Sequence, residues 1–391
     1  MKRVLIFSLA YYPSHVSGAE AAIKEITDRI SPEAIEFHLV TLLFDATAPR
    51  KERIGNVWVY RVGIGGAFLS KVLFIPLAAL KARTLHRKLR FDALWAMMTY
   101  MLFPVVLARV LGVRVPHILT LQDGDPYEKV FERPFIRPIA FLLDHGFRTA
   151  ACVQAISKHL AAWPARRGYR GEVVLVHNGA NPKDLHESVP AEEIRATAKQ
   201  LGKGEDDIFL INTARLVHQK ANDDTIRALP LLPAHVKLVL VGGGPEEGML
   251  RDLARECGVL DRVIFTGPVD RSEVTRYRRA ADIFVGPSRS EGLGNAFLSA
   301  MASRLPVVTT RAGGLAEFVF DESSGMQTAW VVGVGKPAQI AARVNEILSN
   351  PDTVKRVTSQ ARTLVEENYD WDRVAKTMQE KVFTPVFSHV A

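Results

Sequence analysis

Residues 281–319 read ADIFVGPSRSEGLGNAFLSAMASRLPVVTTRAGGLAEFV. The apolar run at 283–285 predicts a short buried strand that ends at Gly286-Pro287-Ser288. A polar loop follows and closes on Ser290-Glu291-Gly292. Residues 295–302, NAFLSAMA, predict a helix whose small and apolar residues suit a buried position. A second short strand is predicted at 306–309, and Gly313-Gly314 opens another loop. The order is strand, acidic loop, helix, strand, Gly-Gly loop. In open α/β sheets such loops gather at the carboxyl ends of parallel strands, where ligands bind.

The same alternation extends to both sides. Upstream in this half, strands are predicted at 209–213, 236–241 and 263–265, with helices between them. Downstream come a strand at 330–332 and helices near 338–348, 353–367 and 371–381. The first half repeats the pattern, with strands at 3–9, 37–43, 57–62, 93–97, 117–121, 152–155 and 173–176. Strands alternating with helices predict parallel sheets, hence the α/β class. The polar stretch 181–206, with Pro182 and Pro190, is expected to be a linker leading into a helix. Two Rossmann-like halves are therefore expected, facing a central cleft.

Composition bounds the function classes. A chain of 391 residues is too long for one ordinary core and suits two domains. Two cysteines, Cys152 and Cys257, make neither a disulfide framework nor a metal spacing, which points to a reducing, cytoplasmic compartment. The stretch 93–108 has no charged residue but includes Thr99 and Pro104, and it is too short to span a bilayer. Net charge is +8, and the excess lies in the first half. Residues 51–100 carry 9 basic against 2 acidic side chains, among them Lys81, Arg83, Arg87, Lys88 and Arg90. A solvated helix face is one reading; contact with an anionic membrane surface or an anionic acceptor is the other. Nucleic acid is not expected, because no nucleic-acid-binding motif accompanies the charge.

Several motifs invite chemistry. Gly242-Gly243-Gly244 fails the dinucleotide fingerprint, because Glu247 stands where its third glycine belongs, so a tight strand-to-helix turn is the reading. Asp123-Gly124-Asp125 has the letters of a metal-binding pair, but turn chemistry explains it equally well. Arg215 and Lys220 lie five residues apart just beyond a strand end, a placement that suits a diphosphate. Glu291 stands just before a helix, where the amides of Leu293, Gly294 and Asn295 could meet phosphate and the carboxylate could meet sugar hydroxyls.

In order, the motifs are SGAE (17–20), HNGAN (177–181), ARLVHQK (214–220), LVGGGP (240–245), VIFTG (263–267), the 281–302 stretch, PVVTT (306–310) and AGGLAEFV (312–319). This succession resembles the retaining nucleotide-sugar glycosyltransferases of family 4, which have the GT-B fold. The resemblance covers almost the whole chain. It implies domains at 1–181 (acceptor side) and 182–370 (nucleotide-sugar side), with residues 371–391 crossing back to the first. It implies a UDP- or GDP-sugar donor with its base against Phe265, Thr266 and Gly267. Arg215 and Lys220 would hold the diphosphate, helped by Gly18, and Glu291 would orient the donor sugar. Gly292 and Gly294 would let the backbone approach the phosphates, and no metal or other cofactor is expected. The acceptor would be a glycan or a lipid-linked molecule, and the protein cytoplasmic; a peripheral place at the inner face of the membrane is a separate expectation that rests on the basic 51–100 region.

Some positions depart from the family's pattern. Its second glutamate, which binds ribose, is replaced by Ser299. Losing a charge-assisted hydrogen bond costs ~1.5–3 kcal/mol, so donor affinity would fall by roughly 10–100-fold. Ala221 and Arg304 stand where glycines are usual, and Gln122 where a histidine is common. These departures motivate one alternative, a nucleotide-sugar-binding protein without catalysis. A second alternative is an epimerase of the same fold.

Overall fold

A run such as Val4-Leu5-Ile6-Phe7 has no polar face, so it is stable only where both sides are covered. In the computed structural model these residues are fully buried in strand β1 (Lys2–Phe7). The structure describes residues 1–13, 16–63 and 68–388. The chain divides into two units: Met1–Asn178 together with the chain from Trp371 onward, and Gly179–Asp370.

The first unit adds β2 (Ile35–Leu42), β3 (Lys51–Ile54), β4 (Val57–Val62), β5 (Ala93–Met97), β6 (His117–Leu121), β7 (Cys152–Ala155) and β8 (Val173–Leu175). Their order is β3-β4-β2-β1-β5-β6-β7-β8, parallel except for β3 against β4. β3 is absent from the sequence reading. Its residues, KERI, carry three charges and no apolar run, as befits an exposed edge strand. The signal for it was the Gly55-Asn56 pair between β3 and β4, where Gly55 has φ +56°. Trp371, Val374, Met378 and Phe383 return to this unit's core, where the Phe383 ring packs edge-on against Trp95, 5.1 Å between centroids. The uncharged 93–108 stretch supplies β5 and the start of helix Leu102–Val110. Among the described residues no helix is long and apolar enough to cross a membrane.

The second unit holds β9 (Ile208–Thr213), β10 (Val236–Val241), β11 (Val263–Gly267), β12 (Ile283–Gly286), β13 (Val307–Thr309) and β14 (Trp330–Val331). All pair in parallel, in the order β11-β10-β9-β12-β13-β14. The order reverses between β9 and β12, and a crevice for ligands opens beyond the carboxyl ends of strands at such a point. The α/β class and the two parallel-sheet units agree with the sequence reading.

The 181–206 stretch corrects that reading. The helix it is expected to lead into is Ala191–Gln200, but the stretch before that is not a plain linker, because it includes helix Pro182–His186. Asp184 is fully buried there and pairs with Arg278.

Helix Asn295–Ala302 ends in a left-handed turn at Arg304 (φ +59°). The Arg304 amide donates to Met301 O and the Leu305 amide to Ala300 O, both at 3.0 Å, a double closure that favours glycine at the left-handed position. Arg304→Gly is therefore expected to stabilise the second unit by about 1 kcal/mol. Thermal unfolding should show this as a midpoint higher by about 2–4 °C.

Candidate active site

The loops at the reversal point carry the residues singled out by the sequence. After β9 the chain runs through Ala214-Arg215-Leu216, makes a tight turn over His218–Lys220 and passes Ala221 in the left-handed region (φ +52°). Helix Asn222–Ala228 follows. The Leu216 amide donates to Gly243 O at 3.0 Å, and a Cβ on Gly244 would lie 2.2 Å from Leu216 O. The glycine-rich turn after β10 thus backs the Arg215 loop by close backbone contact, which accounts for its glycines without a dinucleotide.

The loop after β12 comes from the other side. Lys220 Nζ donates to Glu291 Oε1 at 2.6 Å, and Ser288 Oγ donates to the same oxygen at 2.9 Å. The Glu291 side chain is 7% exposed and that of Lys220 25%. Two residues 71 apart in sequence thus form a half-sheltered ion pair at the reversal point. Arg215, five residues before Lys220 in the same loop, is exposed and makes no ion pair among the described residues.

Arg289 ties the two loops together. Its guanidinium forks onto Asp223 (2.9 and 2.8 Å), reaches Asp224 (3.2 Å) and donates to His218 O (2.9 Å). Its amide donates to Gln219 O at 2.8 Å. Burial alone would raise the Asp223 pKa, but the Arg289 contact outweighs it and holds the carboxylate below its ordinary value. Sequence reasoning missed Ser288 and Arg289, although both lie within three residues of Glu291.

The Gly313-Gly314 loop buttresses Glu291 from behind. The Gly314 amide donates to Glu291 O at 3.0 Å, and a Cβ on Gly314 would lie 2.2 Å from Gly292 O. Gly314→Ala must therefore displace the 291–293 backbone. A misplacement of about 1 Å can cost on the order of 100-fold in rate. A comparable fall in kcat/KM for sugar transfer is the expected result, with far-UV circular dichroism unchanged.

Other named residues are placed as follows. Leu293 is buried, and Asn295 opens helix Asn295–Ala302 after Gly294. Ser299, 4% exposed, donates to Asn295 O (2.9 Å) and accepts from the Asn181 amide (3.0 Å). Its hydroxyl therefore already joins two backbone segments of the second unit. Phe265, Thr266 and Gly267 end β11, two strand spacings or about 10 Å from β9. The Arg251 guanidinium lies 4.1 Å from the Phe265 ring centroid. Gly18 belongs to the first unit, where it opens helix Gly18–Thr27 behind a Ser17–Glu20 capping box.

The first unit has a polar cluster of its own. Gln122 and Asn178 exchange two amide hydrogen bonds (3.3 and 3.0 Å). The carboxylates of the D-G-D stretch have separate partners: Asp125 meets Lys129 and Arg133, both at 3.0 Å, and Asp123 accepts from Thr99 Oγ1 at 2.9 Å. Burial pushes the Asp123 carboxyl up to about 6, against the Thr99 hydrogen bonds, which lower it. A raised acid binds its proton more tightly in the folded state, so its contribution falls as pH rises from about 4 to about 6. Asp123→Asn is expected to match wild-type thermal stability near pH ~4 and to exceed it near pH ~7.

The family models bring these residues under one heading. "Glycosyl transferases group 1" matches residues 193–364, and "Glycosyl transferase 4-like domain" matches residues 17–179. The chain belongs to the group 1, family 4 glycosyltransferases. This glycosyltransferase is 26% identical over 399 residues to an uncharacterized glycosyltransferase of Methanocaldococcus jannaschii, covering 96% of each chain. It is 35% identical over 177 residues to a GDP-mannose-dependent alpha-(1-6)-phosphatidylinositol monomannoside mannosyltransferase of Mycobacterium tuberculosis. That match covers 43% of this chain and 45% of the relative. Its fold is that of sucrose-phosphate synthase from Thermosynechococcus elongatus, with a TM-score of 0.85, 19% identity and full coverage of both chains. It also matches Anabaena HepE, solved with UDP and glucose, at a TM-score of 0.80 and 20% identity, covering 98% of this chain and all of that one. Both are GT-B glycosyltransferases, and the group uses nucleotide-sugar donors.

Proposed function

We propose that this glycosyltransferase moves a sugar from a UDP- or GDP-sugar to an acceptor hydroxyl with retention at the anomeric carbon and without a metal. The observation that carries this reading is the Lys220–Glu291 pair at the reversal point of the second sheet. A diphosphate arriving there would draw Lys220 and the exposed Arg215, the one as a point charge and the other as a planar fork. Glu291 would then take hydroxyls of the donor sugar in place of the ammonium. The base would lie against Phe265, Thr266 and Gly267. Backbone at Gly292, Leu293, Gly294 and Asn295 would approach the phosphates.

In a front-face displacement the anomeric carbon–oxygen bond breaks as the acceptor oxygen attacks from the same side. The departing phosphate oxygen takes the acceptor's proton. The enzyme's contribution would be stabilisation of negative charge on the leaving diphosphate and orientation of the two substrates. The acceptor would be a glycan or a lipid-linked molecule, met by a cytoplasmic protein peripheral at the inner face of a membrane. The comparisons give no support to the binding-only alternative.

The test is to incubate the protein with UDP-glucose or GDP-mannose and a panel of acceptors, with and without a chelator. Proton NMR of the product reads its anomeric configuration. An inverted product overturns retention, and loss of turnover with chelator overturns metal independence. Each donor that binds should also raise the thermal midpoint, because it binds only the folded state.

A further inference from the structure

Helix Phe68–Leu89 contains no acidic residue. One side of it faces the core: Phe74, Ala78 and Ala82 are fully buried and Leu85 nearly so. The other side has no cover. Val72, Leu73, Leu77 and Leu80 are 51%, 39%, 37% and 50% exposed. Leu73, Leu77, Leu80, Thr84 and Arg87 follow one another at helical spacing, so a single outward line begins in leucine and ends in basic residues.

The charges along this face are not neutralised. Arg83, Arg87 and Lys88, with Arg90 just past the helix, have no acidic partner among the described residues. Elsewhere on the surface, cations commonly sit on carboxylates, as Arg251 does on Glu247 and Arg362 on Glu366. Lys81, which the sequence grouped with the others, is occupied differently: its ammonium lies 5.1 Å from the Tyr60 ring centroid.

We infer that this face of the first unit docks on an anionic lipid bilayer. The leucines enter the boundary between headgroups and acyl chains, and Arg87 and Lys88 meet the headgroup phosphates. Exposed leucines and unneutralised cations on one helix face, in a helix too charged to span, are the combination that lies in the plane of a membrane surface. A phosphate-rich surface supplies the counter-charges that the protein itself does not provide. The inference deepens the peripheral-membrane part of the function proposed above, but vesicle binding requires no sugar transfer.

Co-sedimentation with vesicles tests it. One set is phosphatidylcholine alone, and the other contains about a third phosphatidylglycerol. The wild-type protein is expected to sediment with the anionic set and to stay in solution with the neutral one. Leu77→Ser with Leu80→Ser, and separately Arg87→Glu with Lys88→Glu, are each expected to cut the bound fraction on the order of tenfold. Thermal midpoints and transfer to a soluble acceptor should hold, since all four side chains leave the core and the candidate active site untouched. Absence of sedimentation, equal binding to both vesicle sets, or variants that bind like wild type would each overturn the inference. Binding to an acidic protein surface without vesicle binding would overturn it too. Vesicle binding by a protein that transfers no sugar would sink the transferase reading and leave this one standing; sugar transfer without vesicle binding would do the reverse.

Discussion

Lys220→Ala should reduce sugar transfer by about 100–1,000-fold, the usual loss when one group stabilising the charge of a transition state is removed. Two effects combine. The leaving diphosphate would lose a cation placed at the reversal point of the second sheet. Glu291, with its side chain 7% exposed, would keep the Ser288 hydrogen bond and lose its counter-charge. A sheltered carboxylate stripped of its cation is costly, so the loop itself is expected to shift. Lys220→Arg separates the two. It restores the charge but brings a planar fork in place of a compact ammonium, so partial recovery is expected. The measurement is kcat and KM for the donor, alongside the thermal midpoint. Near-wild-type transfer by the alanine variant would remove Lys220 from the leaving-group role.

Asp184→Ala is the second large effect, and it concerns stability. Asp184 has no exposed surface, and the Arg278 side chain is 4% exposed. The guanidinium meets both carboxylate oxygens, one of them at 3.1 Å, while Ser303 Oγ donates to Asp184 Oδ1 at 2.6 Å. Removing one member of such a pair leaves a buried, uncompensated charge and costs about 3–5 kcal/mol. The thermal midpoint of the second unit should fall on the order of 10 °C. The loss should reach the candidate site as well. Arg278 also donates to Thr213 Oγ1 at 3.3 Å, and Thr213 is the last residue of β9 before the Arg215 loop. An unchanged midpoint would mean that water already reaches this pair.

The two results bear on what a sequence can reveal. Central strands were legible because burial on both faces demands continuous apolar runs, as in β1 and β10. β3 was not, because an edge strand needs no such run. Glu291 and Lys220 were each legible as residues of the right type beyond a strand end. Their 2.6 Å contact was not, since it depends on β9 and β12 being neighbours in the sheet. Asp184 was hidden for a related reason. Its partner lies 94 residues away, and a charged residue between prolines looks solvated until its partner is placed. Ser299 was legible as a departure from the family pattern. That its hydroxyl holds the Asn181 amide was visible only in three dimensions.

The placement of Trp371, Val374, Met378 and Phe383 in the core of the first unit has a consequence for synthesis on the ribosome. The second unit, Gly179–Asp370, is contiguous in the chain, and its ends are held together by a 2.9 Å bond from the Ala180 amide to Tyr369 O. It can fold as soon as it has emerged. The first unit starts earlier but must wait, because Trp95 and Phe37 meet the Phe383 ring only when the final stretch appears. Of the two units, the one whose synthesis starts earlier is thus completed later. Until then it presents an apolar surface that a ribosome-associated chaperone would recognise.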